Sequence, residues 1–191
     1  KAAPPQAVAS LPGPRIAVIL GGKNAVYRFK DADDDRLASA LASLKDLGAS
    51  FMVTTSRRTH QRLLDVVTRA TEGAPRVIYT GDGANPYPAF LAHADALVVT
   101  ADSVNMTGEA CATGRPVYVF TPSGGSAKFR RFHDGLKAHG ATRELPHRVD
   151  RIPDWRYDPL DSANEIAEEI ERRYGRRASM LSGLMSTAGG G

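Results

Sequence analysis

Two glycine-rich clusters in this sequence have the composition to hold an anion. Gly21-Gly22-Lys23-Asn24 joins two residues without a Cβ, which let backbone N–H groups approach a ligand, to a lysine and an amide. Ser123-Gly124-Gly125-Ser126 opens directly onto a helical stretch, and Lys128, Arg130 and Arg131 follow within its first turns. Free N–H groups and the helix dipole make such a terminus a phosphate site. Arg57, in Thr55-Ser56-Arg57-Arg58-Thr59, adds a guanidinium, and Gly81-Asp82-Gly83-Ala84-Asn85 adds a further small, polar loop. Glu109 lies six residues after Ser103, part-way along a predicted helix. A carboxylate there can accept hydrogen bonds from the two vicinal hydroxyls of a ribose. Asp102 and Ser103 read as caps of that helix, and Ser103 is also within reach of a ligand.

Catalytic constellations are poor by comparison. His60, His93, His133, His139 and His147 show no metal spacing, and no serine sits in a G-x-S-x-G elbow. Cys111, the single cysteine, reads as a small core residue. The G-x-x-x-x-G-K-[ST] phosphate loop is absent, and Gly81-Asp82-Gly83 runs into Asn85-Pro86 where a dinucleotide fingerprint needs its third glycine. No catalytic residue, metal site or resident cofactor is assigned; the loops suit a phosphorylated ligand.

The elements that must position these loops follow from the apolar pattern. Arg15–Leu20, Phe51–Thr54, Arg76–Tyr79, Ala96–Val99 and Val117–Phe120 are short apolar runs bounded by turn residues, the signature of strands buried on both faces. Between them fall helical periodicities. One is capped by Asp33 and closed by Gly48, with Leu37, Leu41 and Leu44 on one face; another is capped by Thr59, with Leu63, Val66, Val67 and Ala70. Further helices are predicted over Pro86–Ala94, Val104–Thr113, from Gly125 to His139, and over Ser162–Tyr174. Strands alternating with helices predict an α/β fold, a Rossmann-like doubly wound parallel sheet. All five strand-exit loops then open on one edge of it. Residues 1–14, with four prolines and no initiator Met, read as a linker from an upstream domain; 15–177 form the domain and 178–191 a flexible tail.

The chain has 191 residues, 42% of them hydrophobic and 24% charged, enough for one domain with a sizeable core. One cysteine excludes an intramolecular disulfide framework and suits a reducing, cytoplasmic compartment. No apolar run approaches the ~18 residues of a membrane span, which leaves peripheral membrane association as the membrane option. The net charge of +4 is mild, and Gly124–Arg148, with six Lys/Arg against two acids, carries a surplus equal to the whole chain's. A local patch of this size suits a phosphorylated small ligand; nucleic-acid binding, lacking aromatic platforms and a recognised motif, ranks last.

The order of elements, the glycine-rich first loop, and Ser103…Glu109…Gly114-Arg115-Pro116 resemble the C-terminal half of GT-B glycosyltransferases. That resemblance implies a nucleotide-sugar donor site, with Glu109 on the ribose and Gly21, Gly22, Lys23, Gly124, Gly125 and Ser126 at the diphosphate. A closer likeness is carried by longer strings: Gly21-Gly22-Lys23-Asn24, Phe51-Met52-Val53-Thr54-Thr55-Ser56-Arg57-Arg58-Thr59, Gly83-Ala84-Asn85-Pro86-Tyr87, Val99-Thr100-Ala101-Asp102-Ser103-Val104-Asn105-Met106 and Gly125-Ser126-Ala127-Lys128-Phe129. These are similar to the elongated-mitochondria family of plant mitochondrial fission factors and their bacterial relatives. The resemblance implies an additional N-terminal α/β domain as a partner, a glycosyltransferase only when the two are joined, and an isolated chain without activity. The alternative is a non-catalytic interaction module that keeps the GT-B fold, as in organelle-fission factors.

Overall fold

A computed structural model of the chain describes residues 5–160. A helix α1 (Pro5–Ala9) precedes an alternating series: β1 (Arg15–Leu20), α2 (Asp31–Asp46), β2 (Ser50–Thr55), α3 (Gln61–Ala70), β3 (Arg76–Tyr79), α4 (Tyr87–His93), β4 (Ala96–Thr100), α5 (Val104–Ala112), β5 (Val117–Phe120), α6 (Ala127–His139) and β6 (Thr142–Glu144). The six strands form one sheet in the order β3-β2-β1-β4-β5-β6, and every pairing is parallel. The predicted doubly wound α/β fold is the observed one.

The central strands explain the apolar runs. Ile16–Leu20 of β1 and Ala96–Thr100 of β4 are buried throughout, because helices cover both faces of the sheet. Right-handed crossovers put α2 and α3 on one face and α4, α5 and α6 on the other. Leu37, Leu41 and Leu44 of α2, with Leu63, Val66 and Val67 of α3, supply the first layer. The strand order reverses direction between β1 and β4, so a crevice opens at their carboxyl ends. That crevice is where the polar loops meet.

Several boundaries differ from the sequence reading. Residues 5–9, within the stretch read as a linker, form α1, which packs against α4 and buries Val8 completely. The short polar strand β6 has no apolar signal to announce it. Asp33 is not the cap of α2 but its third residue, and Lys30 occupies the cap. The Asp33 carboxylate reaches back to the Lys30 N–H (2.9 Å) and across to the Ser123 N–H (3.0 Å). Thr59 likewise stands one residue before the cap of α3, His60; its hydroxyl donates to the Gly21 carbonyl at 2.7 Å. The helix expected over 162–174 and the tail from 178 lie outside the described residues.

Asp33 ties α2 to the β5 exit, and its titration reports that tie. Burial pushes its carboxyl up, but the N–H groups of Ser123 and Lys30, with Arg36, outweigh burial and hold the pKa below 3.8. A depressed native pKa contributes stability that is complete above about 3.9 and is lost as pH falls through the native value. Asp33→Asn is expected to melt lower than the parent at pH 7, by roughly 1–2 kcal/mol of stability. Thermal melts at pH 7 and pH 2 check this: the gap between the two proteins should close in acid.

Candidate functional site

At the β1 exit the two glycines make room for the protein's own carboxylate. Asp102, at the end of β4, has a side chain with 0% exposure, and its Oδ2 accepts the Gly22 N–H at 3.0 Å. The Gly21 N–H donates to Thr100 Oγ1 at 2.8 Å. A Cβ on Gly21 would stand 2.1 Å from Asp102 Oδ2, and one on Gly22 would stand 1.9 Å from the Arg58 carbonyl oxygen. Both N–H groups expected to approach an anion are therefore already engaged. Asn24 also works within the loop: its Oδ1 accepts the N–H groups of Val26 and Tyr27, and its Nδ2 donates to the Asp102 carbonyl. Lys23 projects into solvent at the same edge.

A guanidinium answers the buried Asp102, and it belongs to Arg58. Arg58 Nη2 donates to Asp102 Oδ2 at 2.8 Å, while 43% of the arginine side chain stays exposed. Arg57, the residue the sequence reading selected, is exposed and donates to no acceptor among the described residues. The sequence reading took Asp102 for a helix cap. Its anchoring role is invisible locally because its bonds reach Gly22 and Arg58, 80 and 44 positions away in the chain.

The β5 exit is pinned to the β1 loop. Gly124 forms an antiparallel bridge with Tyr27, and Gly125 N–H donates to the Val26 carbonyl at 2.7 Å. Gly124 adopts φ +102°, and a Cβ there would lie 2.2 Å from the Val26 oxygen, so only glycine permits the bridge. Ser126 then caps α6, its Oγ accepting the Phe129 N–H, and Phe129 packs edge-on against Tyr27 at 5.2 Å. The N–H groups of Ala127 and Lys128 have no acceptor among the described residues. Lys128 and Arg130 are exposed beside them.

The same arrangement recurs one strand away. Ser103 caps α5, with its Oγ accepting from the Met106 N–H at 3.3 Å, and the Val104 and Asn105 N–H groups have no acceptor among the described residues. Two helix N-termini thus open side by side at the carboxyl ends of β4 and β5. Glu109, exposed, lies roughly 9 Å along α5 from its cap. Its carboxylate neighbours the hydroxyl of Tyr87, whose pKa is raised by burial first and by Glu109 second. Of the other titratable candidates, Cys111 is buried, and burial pushes its thiol up to about 12, away from nucleophilic use. His133 donates from Nε2 to the Ala101 carbonyl at 2.8 Å, and burial lowers its pKa, which favours the neutral ring.

Residues 1–174 match the family model described as mitochondrial fission ELM1. The chain belongs to the mitochondrial fission ELM1 family. It is 33% identical over 174 residues to mitochondrial fission protein ELM1 of Arabidopsis thaliana, covering 91% of this chain and 41% of that protein. It is 31% identical over 161 residues to uncharacterized protein RP120 of Rickettsia prowazekii (strain Madrid E), covering 81% and 45%. The chain therefore spans less than half the length of these ELM1-family relatives.

Among solved structures it is similar to a glycosyltransferase family 9 protein of Veillonella parvula, at 15% identity and TM-score 0.47, covering 87% of this chain and 49% of that one. A likeness to Mycobacterium tuberculosis shikimate dehydrogenase has 20% identity and TM-score 0.36, covering 60% and 40%. Within the ELM1-family chain, no described helix is long and apolar enough to cross a membrane.

Proposed function

We propose that this chain is the nucleotide- or nucleotide-sugar-binding half of a GT-B-like protein, the remaining half being supplied by the longer polypeptide of its relatives. One observation carries the reading. The N-termini of α5 and α6, each with two N–H groups that no described residue accepts, open at the carboxyl ends of the neighbouring strands β4 and β5, on the side of the sheet beyond the reversal between β1 and β4. Anions are stabilised at such termini by N–H donors and the helix dipole. Lys128 and Lys23 supply charge beside them, and Glu109 is the ribose ligand. Gly21, Gly22, Asn24, Gly124 and Gly125 serve the reading indirectly, by holding the two loops in place. In the joined protein the fixed positive field would stabilise a departing nucleoside diphosphate during glycosyl transfer. The protein is expected in the cytoplasm or at a membrane surface.

Glu109→Ala is expected to weaken binding of a nucleoside diphosphate about tenfold, the loss of about 1.4 kcal/mol in hydrogen bonds to hydroxyls. Inorganic pyrophosphate, which has no ribose, should bind the variant as it binds the parent. Calorimetric titration of both proteins with UDP, GDP and pyrophosphate checks this; equal losses for all three would remove Glu109 from the ribose.

A second reading has its own observation. Asp102 already occupies the glycine loop of β1, so that loop needs no ligand to be satisfied. This favours a module that keeps the fold for protein contacts alone. Nucleoside diphosphates that produce no thermal shift, together with a partner recovered on the intact protein, would support it.

A further inference from the structure

Arg58 is an arginine held by one corner. Its Nη2 is the group that meets Asp102, and Nε and Nη1 donate to no acceptor among the described residues. The side chain as a whole is 43% exposed. Its anchor is unusually firm. Asp102 is wholly buried, its Oδ2 is also fixed by the Gly22 N–H, and its Oδ1 has no partner among the described residues. The backbone of Arg58 is equally constrained, because its carbonyl closes over Gly22 and the following Thr59 is bonded to the β1 exit. Asp102 directly precedes Ser103, the cap of α5. A guanidinium gripped by Asp102 is consequently tied to the carboxyl end of β4, two residues before Val104, where the free N–H groups of α5 begin.

We propose that Arg58, positioned by Asp102, takes the second phosphate of a diphosphate whose other phosphate sits on a helix N-terminus, so that the site selects diphosphates over monophosphates. The inference rests on the nucleotide reading above and assigns its charge requirement. A planar fork of donors suits phosphate oxygens better than a point charge, and an arginine already held in place loses less side-chain freedom on binding. Asp102 is a positioning residue here. Its negative charge would by itself repel the ligand, so its removal separates two roles of opposite sign. If Asp102 aims Arg58, Asp102→Asn weakens diphosphate binding; if it merely opposes anions, the same change strengthens it.

The test titrates the whole chain with UDP, UMP, GDP, GMP and inorganic pyrophosphate, in the parent and in Arg58→Ala, Arg58→Lys, Arg57→Ala and Asp102→Asn, with thermal melts to show that each variant is folded. The parent should bind at least one diphosphate at least tenfold more tightly than its monophosphate. Arg58→Ala should abolish that preference and weaken pyrophosphate at least tenfold, leaving monophosphate affinity within twofold. Arg58→Lys should recover part of the preference, Arg57→Ala should keep all of it, and Asp102→Asn should lose several-fold. Equal binding of di- and monophosphates, indifference to Arg58, or an equal loss in Arg57→Ala would overturn the assignment while leaving nucleotide binding intact. Pyrophosphate bound through Arg58 with no nucleotide bound would sustain the assignment and overturn the nucleotide reading. No binding of any of the five ligands would overturn both.

Discussion

Gly22→Ala is expected to destabilise the chain by about 4 kcal/mol, above the 1–3 kcal/mol usual for an added methyl group in a packed interior. The added carbon would lie 1.9 Å from the Arg58 carbonyl oxygen, 2.2 Å from its carbon and 2.8 Å from the Thr59 nitrogen. All three are main-chain atoms, so no side-chain rotation relieves the contact. Either the β1 exit or the Ser56–Thr59 turn must move. That turn is held by the Thr59 hydroxyl, which accepts the Ser56 N–H at 2.9 Å and donates to Gly21. For a chain of this size, 4 kcal/mol corresponds to a fall in Tm of roughly 8–16 °C. Gly48→Ala is the comparison: its Cβ would meet nothing within 4 Å, and the strain of φ +85° alone should cost about 1 kcal/mol. Thermal melts of the two variants side by side separate collision from strain.

Asp102→Ala should destabilise by about 3 kcal/mol. The carboxylate accepts from the Gly22 N–H and from Arg58, and hydrogen bonds to charged groups contribute about 1.5–3 kcal/mol each. The exposed arginine regains water when released, whereas the buried Gly22 N–H does not. Arg58→Ala should therefore be milder than Asp102→Ala, despite breaking the same ion pair, because water can reach the arginine's side of the contact. Denaturant unfolding provides the numbers. A loss near 1 kcal/mol for Asp102→Ala would contradict its role as the anchor of the β1 exit.

These two residues mark where the sequence stops being legible. The sheet could be read because β1, β2 and β4 are continuous apolar runs, and their alternation with helices forces parallel pairing. From that pairing the gathering of loops at one edge followed, since every parallel strand leaves on the same side. The strand β6 escaped notice because Thr142-Arg143-Glu144 is a polar sheet edge, with Arg143 lying over the Trp155 ring instead of in a core. Asp33 and Thr59 are predicted as helix caps and stand close to the observed caps, Lys30 and His60, yet the groups they bind, Ser123 and Gly21, lie far off in the chain. No local pattern names such partners.

The loop glycines teach the same lesson in reverse. Glycine at 21, 22 and 124 signals a close approach, and a close approach is what the structure has. What approaches is protein: a carboxylate at Gly21, a carbonyl at Gly22 and another carbonyl at Gly124. Composition distinguishes a tight place from an open one but says nothing of what fills it. That Arg58 and not Arg57 meets Asp102 is hidden for a related reason, since neighbouring arginines differ only in which one the carboxylate can reach.

The central claim is that a nucleoside diphosphate is held by the paired N-termini of α5 and α6. Amide NMR of the labelled chain during titration with UDP and GDP tests it most directly. Saturable shifts should concentrate at the amides of Val104, Asn105, Ala127 and Lys128, with smaller changes at Gly21 and Gly22, whose N–H groups stay bonded to Thr100 and Asp102. Shifts absent throughout, or confined to residues away from the carboxyl ends of β4 and β5, would contradict it.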